Sequence, residues 1–487
     1  MKTTEYSKVE FFQFAIIVLT GFFTFLSVWA VHRFGHLNFD SVITTLYYPM
    51  GSYTNGVYKS LVKWVGLPAP FILLAPFMYH GLAKKFQLNE KILKYLAIIA
   101  GLVVIVWLQF WLNYTQLNEY FKEATKYTNL YEKEFIAPSS TTVSFQNQKR
   151  NIIHIYLESF ECAGYDSNNN YYSTSNIPHL SKLAQENFSI TPLNKSIMHT
   201  LYTTGCTTNA IVAQTTGSGV TIPANALFST RKTFFSHATT LGEILKDNGY
   251  ATEFVMGSDA DFGNRSNYLS NSKIAYLDYK KMREQHLIPQ NYQENWGIED
   301  RKLFNITKSE ISKLAKSSRP FALGVLTTDT HTPGGYTCPL CDTSIKDPYK
   351  RAINCSDKQV AEFASWIKQQ DFYENTTIVI SGDHTSMDPT VNNSLNAQQQ
   401  AQRSVYFTLI NPAKSADTKA NFSHRNASSF DVFPTILDAA GATLPQKSLG
   451  FGKSLFTGEK TLIEKYGETY LNAQLSRQSQ YYRKYLF

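Results

Sequence analysis

The chain has 487 residues, with 46 Lys and Arg against 38 Asp and Glu, for a formal net charge of +8. That length exceeds what one small domain needs, and the long uncharged blocks are confined to the first quarter, so two parts are implied. The positive balance suits an anionic partner, but there is no dense Lys/Arg run. Nucleic acid is therefore excluded as the expected partner, and anionic lipid headgroups fit better.

Phe11 to Val31 carries no charge, and about 21 such residues suffice to cross a bilayer core. The block is longer than a typical signal-peptide core and is followed by no small-residue cleavage site, so it reads as a membrane span. Trp64 to Ala83 and Tyr95 to Leu112 read as two further spans, the former made irregular by Pro68, Pro70 and Pro76. Residues 1–112 thus form an expected transmembrane part. Lys84, Lys85, Lys91 and Lys94 crowd the connection between the last two spans, which places that loop in the cytoplasm. Three crossings then carry everything after Leu112 to the outside. Between the first two spans, Phe39 to Lys63 mixes apolar residues, glycine and tyrosines, as an interfacial or re-entrant segment would.

Residues 113–150 read as a juxtamembrane connector. Leu117, Tyr120, Phe121, Ala124 and Tyr127 fall on one face of a helix expected over Asn113 to Phe135, and Ala137-Pro138 ends it. From Asn151 to the C-terminus, β-rich runs alternate with helical stretches, among them Pro178 to Asn187, Thr240 to Asn248 and Ser429 to Ala439. That pattern predicts a mostly parallel sheet covered on both faces. Val405 to Ile410 adds a strand.

Four β-runs end in polar or acidic residues. Asn151 to Leu157 leads into Glu158, Ala251 to Met256 into Gly257-Ser258-Asp259, Phe321 to Thr327 into Asp329 and His331, and Thr377 to Ile380 into Ser381-Gly382-Asp383-His384. The C-terminal ends of strands are where α/β sheets build sites. One Asp-His pair is equally well a capped turn, but convergence of four strand ends argues for a metal site. The stretch Thr203 to Val212 reads as a tight turn feeding a helix, whose N-terminus offers N–H groups to a phosphate. A threonine there serves either as a helix cap or, beside a divalent metal, as a nucleophile toward phosphorus.

Cys338 and Cys341 form a C-x-x-C with Cys355 downstream, read as a structural disulfide region in an oxidising compartment, with zinc as the rival. Cys162 and Cys206 read as unpaired thiols. The closing segment Tyr481-Tyr482-Arg483-Lys484-Tyr485-Leu486-Phe487 fits either a membrane interface or a solvated tail.

Together, Ile155 to Ser159 (I-Y-L-E-S), Thr204 to Ala210 (T-G-C-T-T-N-A), Thr328 to Pro333 (T-D-T-H-T-P) and Ser381 to His384 (S-G-D-H) resemble the alkaline-phosphatase/sulfatase superfamily. Within it they are similar to the membrane-anchored phosphoglycerol and phosphoethanolamine transferases and the lipoteichoic acid synthases. The resemblance runs from about Asn151 to Gly452. It implies an α/β catalytic domain outside the bacterial inner membrane, in the periplasm, behind the N-terminal membrane helices. It implies one divalent metal (manganese, zinc or magnesium) held by Glu158, Thr207, Asp383 and His384, with Thr207 as nucleophile. His331 would stand beside the transferred phosphate, and Asp329 and Arg265 would contact substrate. Arg265 matches a phosphate-contacting arginine of the synthases, although a surface arginine is the alternative. Gly263 and Ser258 depart from the tryptophan and aspartate of those synthases.

The implied reaction moves the headgroup of a phospholipid, phosphatidylglycerol first and phosphatidylethanolamine second, onto a glycan. A phosphoethanolamine transfer to lipopolysaccharide core or lipid A is the runner-up, and a metal-dependent phosphodiesterase the third reading. Sulfate ester hydrolysis is disfavoured: Cys206 is followed by Thr207, Thr208, Asn209 and Ala210, without the C/S-x-P-x-R context that formylglycine formation needs.

Overall fold

A computed structural model describes residues 15–29, 47, 59–74, 78, 85, 90–114, 117–145, 149–162, 173, 175–222, 234–294 and 296–487. The chain forms two compact units, one of Met1–Phe39 with Tyr53–Phe121 and the other of Asp40–Ser52 with Lys122–Phe487.

In the smaller unit, residues 15–29 are helical, Val62–Gly66 forms a wide helical turn, and α1 (Glu90–Tyr114) is the longest helix. Among the described residues no helix is long and apolar enough to cross a membrane. The spans over 11–31, 64–83 and 95–112 therefore stay expectations. Parts of the first two, and most of the Phe39 to Lys63 segment, lie outside the described residues.

The large unit is built on a seven-stranded sheet. Its strands are β1 (Asn151–Leu157), β2 (Phe188–Ile190), β3 (Ala251–Met256), β4 (Ala275–Leu277), β5 (Phe321–Leu326), β6 (Thr376–Gly382) and β7 (Phe407–Ile410). They lie in the order β2-β7-β6-β1-β5-β3-β4. From β6 to β4 every neighbouring pair is parallel, whereas β7 runs antiparallel to both β6 and β2. All residues of β1 and β6 are buried, which is why those runs are apolar throughout rather than alternating. The strand expected over Val405 to Ile410 is split, because Ser404 and Val405 pair with Glu161 and Cys162 in a separate ribbon.

Helices cover both faces: α2 (Pro178–Glu186), α3 (Thr207–Thr216), α4 (Leu241–Asp247), α5 (Arg265–Asn271), α6 (Asp300–Ala315), α7 (Pro348–Lys368) and α8 (Ser429–Ala439). Local signals set their ends. Thr240 and Glu243 form a capping box before α4, and Asp347 accepts the Lys350 N–H before Pro348 opens α7. On one face Ile153, Ile155 and Leu157 join Leu303, Ile311 and Phe363 in one core. On the other, Ile152, Val379 and Leu409 join Ile244, Val432 and Ile436. Burial of each such side chain contributes about 1.5–3 kcal/mol. These two cores hold the central strands in one register, which sets the spacing of the loops that leave their C-terminal ends.

The connector departs from its expected single helix. It breaks into Leu117–Ala124 and Leu130–Glu134, because its backbone is taken up elsewhere in the chain. Thr128 N–H donates to the Gln478 carbonyl at 3.0 Å and Ile136 N–H to that of Gly450 at 2.9 Å. The C-terminal segment is not merely a solvated tail, although Arg483, Lys484 and Tyr485 are exposed. Tyr482, Leu486 and Phe487 are buried, and the Tyr482 hydroxyl accepts the Thr221 N–H at 2.9 Å.

Candidate functional site

Register brings the first two site segments together. Leu157, last in β1, lies opposite Gly382, last in β6, so Glu158 and Asp383 leave adjacent strands side by side. Gly382 is required there, since a Cβ would collide with the Phe160 carbonyl. Ser159 turns the chain with a left-handed φ of 49°, a conformation costly for a non-glycine residue and found where surrounding contacts enforce it. The contacts are present: Ser159 N–H donates to Asp383 Oδ1 at 2.7 Å, and its hydroxyl to Glu158 Oε1 at 2.8 Å. His384 comes next, with Nε2 3.8 Å from Glu158 Oε1 and 3.5 Å from Asp383 Oδ2, its ring oriented by Nδ1 against the Thr385 carbonyl at 2.9 Å.

Thr207 enters from the opposite element, as the first residue of α3. Its hydroxyl donates to Glu158 Oε2 at 3.1 Å. Every residue of α3 is buried, and the helix is tied to the end of β6 through Gln214, which donates to the Gly382 carbonyl at 3.1 Å and accepts from the Ser381 hydroxyl at 2.8 Å. Gln214 lies two turns beyond Thr207 on the same side of the helix. It fixes the position of the threonine relative to the strand.

Glu158, Asp383 and His384 present two carboxylate oxygens and an imidazole nitrogen, all within 4.8 Å of one another. Asp383 Oδ2 is buried with no hydrogen-bond partner, an orphan that a cation would satisfy. The donor set fits manganese, magnesium or zinc. The electrostatics agree. Burial raises the Asp383 carboxyl above its ordinary range, and Glu158 adds to it. Burial also acts to raise Glu158, but His331, His384 and the bonds from Ser159 and Thr207 outweigh it and hold that carboxyl low. Burial would lower His384, and the two carboxylates reverse the sign.

His331 reaches the same centre from the loop after β5, with Nε2 4.0 Å from Glu158 Oε1, and at 22% side-chain exposure it faces solvent where Glu158 does not. Trp296 packs on its ring, with centroids 3.9 Å apart. Asp329 is placed differently. Its carboxylate oxygens are buried without hydrogen-bond partners, and its charged neighbours are Asp300 and Glu299, so burial and those neighbours raise its pKa. Asp300, pushed up to about 7 by burial, accepts the N–H groups of Thr328 and Asp329 at 2.7 and 3.3 Å. The pair underlies the turn that delivers His331.

Arg265 is only 4% exposed, which rules out the surface-arginine reading. Its Nη2 donates to Ser258 Oγ at 3.0 Å and to the Asp259 carbonyl at 2.8 Å; its Nε is buried with no hydrogen-bond partner. Phe262 lies under the guanidinium at 5.5 Å and Trp296 against Phe262 at 5.4 Å. Gly263, where the synthases carry tryptophan, has a φ of 67°, and a Cβ there would strike the Thr208 hydroxyl. Trp296 supplies an aromatic ring from another loop. Reading the sequence missed Trp296, Ser159 and Gln214. The Thr207-to-Gln214 spacing could have revealed Gln214; a tryptophan in an irregular loop carries no such signal.

A parallel α/β sheet whose strand ends gather an acidic and histidine cluster against a helix-borne threonine defines a sulfatase-type fold and site. The family model for sulfatase matches residues 150–442, more than half of the chain, and the chain belongs to that family. Phosphoglycerol transferase I of Citrobacter koseri is 28% identical over 348 residues, covering 69% of this chain and 42% of that relative. Its namesake from Escherichia fergusonii is 27% identical over 361 residues, covering 71% and 44%. The match thus spans less than half the length of these curated relatives. Among solved structures, the integral membrane protein lipooligosaccharide phosphoethanolamine transferase A (EptA) from Neisseria meningitidis superposes with a TM-score of 0.51 at 14% identity, over 89% of this chain and 84% of that one. That likeness shows a shared fold.

Proposed function

We propose that the protein is a phosphotransferase that moves a phospholipid headgroup, phosphoglycerol from phosphatidylglycerol, to a glycan hydroxyl through a phosphorylated Thr207. The observation that carries this reading is the Thr207 hydroxyl at 3.1 Å from Glu158, inside the Glu158, Asp383 and His384 cluster. The relatives named phosphoglycerol transferase I support the choice of headgroup.

A divalent cation held by Glu158, Asp383, His384 and Thr207 would make a threonine alkoxide accessible at neutral pH and offset phosphate charge. Thr207 Oγ attacks phosphorus, the bond to the diacylglycerol oxygen breaks, and diacylglycerol leaves. His331, the partly exposed imidazole of the site, gives that oxygen its proton and takes one from the incoming acceptor hydroxyl in the second half. Arg265 binds the phosphate oxygens. Asp329 serves substrate binding through the turn it shares with Asp300, which sets His331.

The donor is a membrane lipid, and the proposal includes anchorage in a bacterial inner membrane through the N-terminal part, with the large unit in the periplasm. Exposed Ile98, Ile99, Leu102, Ile105, Val106 and Leu108 on α1 support it. Anchoring raises the effective concentration of a lipid confined to the same plane.

The test is intact-mass and peptide mass spectrometry after incubation with phosphatidylglycerol or phosphatidylethanolamine. A phosphoglycerol adduct on Thr207, absent in Thr207→Ala, is expected. An adduct on Thr203 or Thr208, or a phosphoethanolamine adduct alone, overturns the assignment. If diacylglycerol release is unchanged by every glycan tested and free headgroup phosphate accumulates, the enzyme is a phosphodiesterase.

A further inference from the structure

His331 leaves β5 on the loop that runs to α7. The far end of that loop is fastened by a disulfide from Cys341 to Cys355 of α7, with Cys338 Sγ alongside, 3.7 and 3.9 Å from the two sulfurs. The near end, which carries the imidazole, is held by other groups. The His331 Nδ1–H donates to the Thr332 carbonyl at 2.5 Å. Nε2, the nitrogen that faces Glu158, is therefore the one left to pass a proton to or from substrate. The ring is aimed by the backbone of Thr332.

Thr332 is held in turn by Asp388, four residues beyond His384. Asp388 is 2% exposed, and both of its carboxylate oxygens are in use. Oδ1 accepts the Thr390 N–H at 2.9 Å and the Thr390 hydroxyl, which caps the short helix Pro389–Ser394. A helix cap needs no more than that. Oδ2 turns instead to the histidine loop, where it accepts the Gly334 N–H at 2.7 Å and the Thr332 hydroxyl at 3.3 Å.

On the other side of His331, the hydroxyl of Tyr349 on α7 donates to the Thr330 carbonyl at 3.0 Å. Its proton is thereby committed, so Ser386 donates to it across 2.7 Å, and Ser386 Oγ accepts the Asp388 N–H at 3.1 Å. The residues before and after His331 are thus tied to one short segment, Ser386 to Asp388, that follows directly on Asp383 and His384.

We propose that Asp388 and Tyr349 are positioning residues for His331, clamping the loop on either side of it so that its imidazole is held against the Glu158, Asp383 and His384 cluster. The inference rests on the role given to His331 under the proposed function. In the first half of that reaction the bond from Thr207 Oγ to phosphorus forms and the bond from phosphorus to the diacylglycerol oxygen breaks. The departing oxygen takes the proton from His331 Nε2, while Nδ1 keeps its own on the Thr332 carbonyl. Loosening the clamp lets the ring turn away from that oxygen and leaves the cluster intact.

The experiment separates proton delivery from the rest of the chemistry. Asp388→Asn preserves size but leaves one accepting oxygen, so whichever way the amide turns, its NH2 meets the N–H of Gly334 or of Thr390. Tyr349→Phe keeps the packed ring and removes only the hydroxyl. Purified full-length wild type, both variants and His331→Ala are followed through single turnovers on two donors: phosphatidylglycerol, whose diacylglycerol oxygen needs a proton to leave, and p-nitrophenyl phosphoglycerol, whose nitrophenolate does not. Asp388→Asn and Tyr349→Phe are expected to slow diacylglycerol release at least about tenfold more than nitrophenol release, a part of the roughly 10²–10⁴-fold that a general acid contributes. Equal losses on the two donors, or no loss, overturn the proposal, and Tyr349→Phe decides alone if Asp388→Asn does not fold. A selective loss in His331→Ala without one in the other variants strikes the clamp only. If His331→Ala shows no selective loss, the proton-transfer role of His331 fails and this inference with it.

Discussion

The indole of Trp296 lies against the imidazole of His331, ring centroid to ring centroid, at 3.9 Å. His331 leaves β5 on a loop and is partly exposed, so its orientation depends on what packs beside it. A tilted ring pair of this kind, with 41° between the planes, is worth about 0.5–1.5 kcal/mol. Trp296→Ala is expected to lower kcat for diacylglycerol release about three- to tenfold, with Trp296→Phe restoring most of it. Unchanged kcat in the alanine variant would remove Trp296 from the site.

The Glu158, Asp383 and His384 cluster places two carboxylates together in a buried space. Chelation is expected to reduce transfer by at least about a thousandfold, the scale of the charge stabilisation a metal supplies, and added manganese, magnesium or zinc to restore it. Asp383→Asn should abolish stoichiometric metal in elemental analysis of the folded protein. Wild-type protein free of divalent metal yet fully active would end this account of the centre.

Arg265 offers a buried guanidinium whose Nη2 is already committed to Ser258 and Asp259. Lysine cannot make that fork while presenting a second donor. Arg265→Lys is expected to cost about tenfold or more in kcat/KM, carried mainly by KM for the lipid donor. Titration of the isolated protein with inorganic phosphate, followed by calorimetry, should show a parallel loss.

Away from the site, Glu253 on β3 is raised to about 7 by burial, with Glu310 of α6 adding to it. The folded protein therefore holds this proton when the unfolded chain has lost it. Its contribution is favourable at low pH and disappears as pH rises from the ordinary glutamate range through about 7. Glu253→Gln should match the wild type in urea melts near pH 4 and exceed it by about 2 kcal/mol at pH 8, allowing for partial exposure. A stability difference independent of pH would show that Glu253 does not titrate this way.

Legibility in the sequence tracks burial. β1, β3, β5 and β6 are apolar runs closed by polar residues, so both the strands and the residues at their ends, Glu158, His331, Asp383 and His384, are visible there. α8 is visible from its period and is found over Ser429–Ala439. β2 and β4 have three residues each, too few for a period to register. The helix expected over 113–135 fails because Thr128 and Ile136 bond to Gln478 and Gly450, more than three hundred residues away. Asp329 is visible beside His331, but the hold of Asp300 on its backbone N–H is not. The disulfide partner cannot be chosen from spacing, since all three sulfurs lie within reach.

Pairing along β1 also acts as a ruler. Leu157 faces Gly382 on one side, and Tyr156 faces Leu326 on the other. A strand advances about 3.3 Å per residue, so a slip of one residue between β1 and β6 would separate Glu158 and Asp383 by roughly the length of a hydrogen bond and turn one of them to the opposite face. The charges of the cluster are thus brought together only where β1 and β6 pair in this register. A chain in which those two strands are unpaired has Glu158 and Asp383 but not the cluster.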